Sequence, residues 1–336
     1  MFERNIYDQY GLYCDEKFQI GSYEGFRSRN DYYVLMPCPR KQDNIWVQLD
    51  WSERLKSTGI QQFAELVSGI DGKAISRVDG VQQLLFQMPG AEERTAMSDG
   101  KTLALIHESS RGWVPNRTDL HLQGRWLSLW ETRIDQLESF HATVDRRPEK
   151  TAFDEKFLYT FPYYLGRAET AMQWLVEEGQ EHLLGSYDGS VNHIRFTPGT
   201  WLVADQHCTQ VKNPLAFVYD HPSRDLGECL RYCYEKDDPS SAAEFLEDYS
   251  GGQPLQEQTW ALIGARLLFP ITYVELMEAH YLNERTKEAD INEGVLQFEA
   301  ELDREERYMN YASQCLLDAF PVTANGHWFA KRIFTG

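Results

Sequence analysis

The stretch "VNHIRFTPGTWLVADQ" (191–206), followed shortly by "FVYDHPSRDL" (217–226), decides how this chain is read. The first segment is apolar and strand-like up to His193, then breaks at Pro198-Gly199. The second is a short apolar run that ends on Asp220. Two strand-like pieces joined by a loop, with an aspartate at the second exit, are the layout in which phosphoryl-transferring sites place a base and a metal-binding carboxylate. Such a segment normally reads His-x-Asp, and here the third residue is Arg195. Either a phosphoryl-transfer site has lost its base, or the segment was never one.

Working outward, "QIGSYEGFR" (19–27) and "YYVLMP" (32–37) read as two strands with a turn at "SRND". The next segment, "LDWSERLKSTGIQQFAELVSGI" (49–70), reads as a helix capped by Asp50 or Ser52, with Leu55, Ile60, Phe63 and Leu66 at helical spacing. "GKAISRVDG" and "VQQLLFQMPG" read as a hairpin about "VDG", giving the order β-β-α-β-β closed by Pro89-Gly90. Beyond Gly90 the periodicity is helical. "AEERTAMSDGKTLALIHESS" sets Leu103, Ile106 and His107 on one face, and "GRWLSLWETRIDQLESFHATV" carries Trp126, Leu129, Ile134 and Leu137. Further helices are read in 161–184, 223–236, 241–250, 255–282 and 293–320, with a loop at "EKDDPSSAAEF". The expected fold class is α+β, two-lobed and protein-kinase-like. A small β-rich N-terminal lobe (1–89) precedes a large, mostly helical C-terminal lobe (90–336) that one β-hairpin interrupts.

Composition narrows the function classes. With 336 residues, 42% hydrophobic and 13% aromatic, the chain can bury a sizeable core. Its formal charge of −19 argues against non-specific binding to nucleic acid or anionic membrane. No run approaches 18 uninterrupted apolar residues, and "MFERNIYDQYG" lacks a signal-peptide apolar region, so synthesis and folding in a cytoplasm are expected. The six cysteines are scattered without a CxxC. Cys229 and Cys233 share a helical face, but no further zinc ligands fall nearby, and reduced thiols are expected.

Several phrases resemble one family. "LALIHESSRGW" (103–113) looks like a "LAxFHxxS" helix, and "WETRIDQLESF" (130–140) like the helix after it. "FPYYLGRAETAMQWL" (161–175), "YDHPSRDLGECLR" (219–231) and "LLFPITYVELMEAHY" (267–281) follow in matching order and spacing. They resemble the aminoglycoside phosphotransferase family's spore coat branch in endospore-forming bacteria, the CotS group, and within it the YutH-type coat proteins. The resemblance spans most of the chain and is weaker over the N-terminal lobe. It implies synthesis in the mother-cell cytoplasm, deposition at the spore coat, and other coat proteins as partners.

The resemblance also assigns positions. Met36 stands where related sequences carry the strand lysine that binds phosphates, and a thioether cannot do that. Glu53 would be its partner on the following helix, and Lys41 or Lys56 would have to reach in from elsewhere. His193 matches the loop-anchoring histidine. Arg195 stands at the base position and cannot accept a proton. Thr200 replaces the metal-binding asparagine, and Asp220 matches the metal-binding aspartate, the one candidate metal ligand. Asp225 matches a structural aspartate that caps the next helix. "GSYEGFRSRN" lacks a glycine-rich phosphate loop.

These departures point to a catalytically degenerate kinase-like protein, a pseudokinase of the endospore coat that works by binding or assembly, with no cofactor expected. The alternative is an active small-molecule phosphotransferase of the aminoglycoside or choline kinase kind with a rearranged site. It would use Mg²⁺ and ATP, with Asp220 on metal, Arg195 on phosphate, and Asp205 or Glu24 as base. A third reading is a ligand sensor that uses the hinge candidates Gln87, Met88 and Gly90 through main-chain hydrogen bonds.

Overall fold

A computed structural model describes residues 2–319 except 40, 61–62, 89–98, 118, 180–187, 197–200, 203–210, 252–254 and 283–287. The chain divides into two compact units, residues 1–121 with 190–219, and residues 122–189 with 220–336. The first unit thus extends beyond the expected 1–89 to include the helix after Gly90 and most of the hairpin region.

The first unit is built on a six-stranded antiparallel sheet: β1 (Glu16–Ile20), β2 (Tyr23–Ser28), β3 (Asp31–Pro37), β4 (Glu65–Val67), β5 (Ile75–Val78) and β6 (Val81–Met88). The order is β1-β2-β3-β6-β4, and β5 also pairs with β6. The stretch expected as one strand, "QIGSYEGFR", is itself a hairpin. Gly21 at φ 58° takes the left-handed conformation that reverses the chain without a Cβ clash. The turn expected at "VDG" is present, with Asp79 at φ 46° and Gly80 at φ 86°, both positive as a tight hairpin turn of matching twist requires.

Both faces of the sheet are covered, which explains the apolar runs in β3 and β6. On one face Tyr33, Leu35 and Leu85 meet helix α1 (Phe2–Tyr10), which the sequence reading did not assign, through Phe2, Ile6 and Tyr10 at four-residue spacing. On the other, Val34, Met36, Leu84, Phe86 and Met88 pack with Ile45 of α2 (Gln42–Ser57), Ala64 and Val211. Helix α2 starts earlier and stops sooner than expected. Its C-terminal Thr58 is followed by Gly59 at φ 101°, which ends the helix. Phe63 and Leu66 therefore fall beyond it, Leu66 in β4, and Asp50 and Ser52 lie within the helix rather than capping it.

Helix α3 (Asp99–Ser109) buries Leu103, Ile106 and His107 as expected. Ser110 of the same motif is fully buried. Its hydroxyl accepts from the Val191 amide at 2.8 Å and donates to the Ile106 carbonyl, tying α3 to β7 (Ser190–His193). Strands β8 (Trp201–Leu202) and β9 (Val211–Lys212) pair with each other, and β10 (Phe217–Asp220) pairs with β7. The His-containing hairpin region therefore holds four short strands where the sequence suggested two.

The second unit is helical: α4 (Trp126–Asp145), α5 (Ala152–Trp174), α6 (Ser223–Glu235), α7 (Pro239–Ser250), α8 (Glu257–Leu268), α9 (Ile271–Leu282) and α10 (Glu288–Ala319). Aromatic stacking organises its core: Trp130 on Phe269 at 4.4 Å, Tyr164 on Tyr273 at 3.8 Å, and Phe153 on His280 at 3.6 Å. Residues 257–282 are apolar and long enough to cross a membrane by composition, but 78% of their most apolar 18-residue stretch is buried inside the protein, and the segment is broken into α8 and α9. Pro270 lacks an N–H and holds Phe269 extended, so the single helix expected there cannot run through. None of the five described cysteines forms a disulfide.

Helix α5 begins nine residues before the expected start because Thr151 and Asp154 form a capping box. The Asp154 amide donates to the Thr151 hydroxyl at 3.1 Å, and the Thr151 amide donates to the Asp154 carboxylate at 3.0 Å. Burial alone would raise the Asp154 pKa, but the Thr151 amide and hydroxyl, Arg147 and the Tyr281 hydroxyl outweigh it and hold the carboxyl below its ordinary value. Thr151→Ala is expected to cost about 1 kcal/mol in urea unfolding. Because the folded pKa of Asp154 is depressed, its contribution is fully present above about pH 4 and is lost as pH falls below that. Asp154→Asn should accordingly flatten the acid limb of a stability–pH curve, and an acid limb identical to that of the unsubstituted protein would contradict this.

Candidate functional site

The sequence-assigned positions divide between the units. Met36 and His193, with Arg195, Gln87 and Met88, lie in the first, and Asp220 and Asp225 lie in the second. Thr200, Gly90 and Asp205 lie outside the described residues.

In the first unit, Met36 is 1% exposed and pairs with Leu84 across the sheet. Its side chain belongs to the core between the sheet and α2, so the position contributes packing rather than a charge. Glu53 is exposed and bound to Lys56 at 2.9 Å, and Lys56 also holds Glu65 at 2.9 Å. Lys41 pairs with Asp119 at 3.4 Å. Both lysines are thus paired with carboxylates of this unit. The β1–β2 turn, where a phosphate loop would sit, is two residues long. The second glycine of that stretch, Gly25, makes room for a ring: a Cβ there would come within 2.5 Å of Phe18. Glu24 is exposed on β2.

His193 ends β7 fully buried, its ring 5.1 Å from those of Phe196 and Phe217. The Ile194 amide donates to Ala216 at 2.7 Å. Arg195 follows, partly exposed. Of the hinge candidates, Gln87 has strand partners on both sides, Tyr33 and Glu65, whereas Met88 is paired only with Tyr32 among the described residues. Two polar side chains missed in the sequence bind this hairpin to the sheet unit. Gln48 of α2, 4% exposed, donates to the carbonyls of Leu215 (2.9 Å) and Phe217 (2.8 Å). Lys212, 1% exposed, sets its ammonium 5.8 Å from the Phe63 ring while its carbonyl accepts from Ala64. The only signal for Gln48 was a polar residue on the apolar face of a helix whose start had been misplaced.

In the second unit, Asp220 is fully buried at the end of β10. The Trp126 indole Nε1–H donates to both of its carboxylate oxygens, at 3.0 and 2.8 Å. The His221 amide donates to Oδ1 at 2.8 Å, and Arg224 Nη1 donates to Oδ2 at 2.9 Å. Arg224 is thus the protein's own counter-cation on this carboxylate. Behind it, Arg266 lies 4.6 Å over the Trp126 ring and binds Glu228 at 2.5 Å. Burial, followed by the like charge of Arg224, pushes the Arg266 guanidinium down to about 10, against the pull of Glu228 and Asp220. The result is a balanced cluster of two guanidiniums and two carboxylates around one indole. A divalent ion placed at Asp220 would compete with Arg224 for the carboxylate. Among the described residues, no group of three His, Cys, Asp or Glu is placed to hold a metal.

Asp225 does not cap the next helix. The N-cap of α6 is Pro222, without a side-chain hydrogen bond, and Asp225 is the third helical residue, fully buried. There it lies in the first turn, near the partial positive charge of the helix start. The turn itself is held by His221, whose Nδ1 accepts from the Ser223 amide at 3.1 Å.

With this geometry in hand, comparison with known proteins places the fold and then the family. The aminoglycoside phosphotransferase of Alicyclobacillus acidocaldarius superposes with a TM-score of 0.64 at 16% identity, over 92% of this chain and 94% of that one. A spectinomycin phosphotransferase bound to ADP and spectinomycin superposes at 0.59 with 14% identity, over 95% and 98%. An amicoumacin kinase bound to AMP-PNP and Ca²⁺ superposes at 0.55 with 15% identity, over 91% and 92%. The fold is therefore that of the kinase-like phosphotransferases. The family described as spore coat putative kinase YutH matches residues 3–315, and the chain belongs to that family. The endospore coat-associated protein YutH of Bacillus subtilis (strain 168) is 27% identical over 320 residues, covering 94% of this chain and 93% of its own.

Removing the Arg224 guanidinium leaves a buried carboxylate without its counter-ion. Arg224→Ala should lose about 3–5 kcal/mol in urea unfolding, and a double-mutant cycle with Asp220→Asn should recover much of that loss as coupling between the two sites. A cycle with no coupling would show that the two charges do not depend on one another.

Proposed function

We propose that this protein is a catalytically degenerate kinase-like component of the endospore coat that acts by binding or assembly rather than by phosphoryl transfer. It is made in the mother cell, deposited at the coat, and partnered there by other coat proteins. Family membership and the coat-associated relative support the location.

One observation carries the loss of chemistry. The carboxylate that should hold metal already holds Arg224, Trp126 and the His221 amide. Phosphoryl transfer depends on cations that neutralise charge developing on the phosphate oxygens. An aspartate whose charge is cancelled from within the protein has little to offer such a cation. Met36 in the core and Arg195 at the base position support the same reading. On it the protein requires neither Mg²⁺ nor ATP.

The test is calorimetric titration with Mg²⁺-ATP, alongside thermal melts, for the protein and for a folded Asp220→Asn variant. No heat and no rise in Tm at millimolar nucleotide are expected, since a ligand that binds the native state must stabilise it. Binding that Asp220→Asn abolishes would overturn the proposal in favour of an active phosphotransferase. In sporulating cells, a folded Asp220→Asn protein should reach the coat as the unsubstituted protein does, followed by a fluorescent fusion.

A further inference from the structure

The second unit contains a cavity of about 390 Å³ lined by Tyr234, Pro239, Ala243, Leu246, Trp260, Tyr311, Gln314 and Cys315. It lies where α6 ends, α7 and α8 begin, and α10 passes. The length of α6, about 18 Å at 1.5 Å per residue, separates it from the end that carries Asp220. Its volume is in the range of small-molecule sites, which are typically about 300–1,000 Å³.

Its walls are aromatic. Tyr234 and Tyr311 lie face to face with centroids 5.8 Å apart at 27°, and Trp260 supplies a third ring. No lysine or arginine lines it. The Tyr311 hydroxyl donates to the Asp237 carboxylate, which pushes electron density towards its ring. Tyr234 is in the last turn of α6, so that helix C-terminus turns its partial negative charge towards the cavity. Of the two helices that begin there, α7 has its positive end covered by Asp238, which accepts from the Ser241 amide and the Ser240 and Ser241 hydroxyls, and α8 carries the acidic Glu257 in the same first turn as Trp260. The charge of −19 over the whole chain adds a long-range bias of the same sign.

We propose that this cavity is a binding site for a small organic cation, an alkylated ammonium ion carrying an apolar body. Aromatic faces attract such an ion through their quadrupoles, and a quaternary ammonium is weakly hydrated enough to enter an apolar site. The apolar remainder of the ligand fills space that the head group alone would leave empty. The proposal is independent of whether the Asp220 position binds metal.

The probe is benzyltrimethylammonium, titrated calorimetrically into the full chain, with benzyl alcohol as an uncharged aromatic control. Saturable binding of the cation in the micromolar to low millimolar range, at least tenfold tighter than the alcohol, is expected. Trp260→Leu should weaken it at least tenfold. Because that variant removes a half-buried ring, Ala243→Lys serves as a second one. Residue 243 is exposed on α7, so a lysine there places a like charge at the mouth without touching the core. It should weaken the cation about tenfold or more, leave the melting curve unchanged, and leave the alcohol unaffected. Asp237→Asn should weaken the cation several-fold. Equal affinity for cation and alcohol, no saturable binding up to 10 mM (about a hundredfold above a mid-range Kd), or cation binding that Ala243→Lys leaves untouched would each overturn the proposal.

Discussion

The end of α8 is the constraint on which the second unit depends. Pro270 forces the helix to stop at Leu268, and the last carbonyls then face the apolar core, where each unpaired acceptor would cost about 1–3 kcal/mol. Side chains from three other helices satisfy them. Arg231 of α6 donates to the carbonyls of Arg266 and Phe269, Arg167 of α5 to that of Leu268, and the Tyr308 hydroxyl of α10 to that of Leu267. Arg167 is itself balanced by Glu305 at 2.6 Å. Cations at a helix C-terminus also complement its dipole. Three helices are therefore pinned to one helix end by polar contacts whose loss would leave buried groups unpaired, a stronger demand on geometry than apolar packing makes.

That pinning reaches Asp220. Arg266, whose carbonyl Arg231 holds, directs its guanidinium to Glu228 and over the Trp126 ring, and the Trp126 indole donates to Asp220. The carboxylate is thus fixed by the same framework that completes α8. The charge of Asp220 is balanced from within the protein, by Arg224 on one side and by the Arg266–Glu228 pair behind the indole, so on the proposed reading a metal ion would have to compete with Arg224 for the carboxylate.

The two kinds of strand and helix signal differed in how far they could be read. Periodicity located α3 and α4, where the buried residues recur at helical spacing (Leu103, Ile106 and His107; Trp126, Ile134 and Leu137, though Leu129 is exposed), and the turn residues Asp79 and Gly80 located the β5–β6 hairpin. Periodicity failed where a single backbone event overrode composition. Gly21 folds one apparent strand into two, Gly59 stops α2, and Pro270 splits an apolar run into α8 and α9. The sequence could name Met36, Arg195 and Asp220 as candidate positions through the motifs around them. The partners of Asp220 were not legible, because Trp126 lies 94 residues away and reads as a core tryptophan in a helix. Gln48 was hidden for a similar reason: its role depends on backbone carbonyls at Leu215 and Phe217, which carry no sequence signal.

On the proposed reading, the altered positions are explained by what they contribute once phosphate no longer has to be bound. A lysine at position 36 would have to keep a charge in a site that is 1% exposed, whereas methionine there adds roughly 1.5–3 kcal/mol of apolar burial. Gly25 no longer needs to bring backbone amides to a phosphate, and Phe18 fills the space it leaves. At Asp220 an internal guanidinium makes permanent a neutralisation that a bound ion would make reversible. Each change exchanges an under-satisfied functional group for a satisfied structural one, the direction in which stability rises when activity ceases to constrain a site. Only the backbone frame need survive such exchanges, which accounts for a kinase-like fold retained at 14–16% identity to enzymes that bind nucleotide or antibiotic.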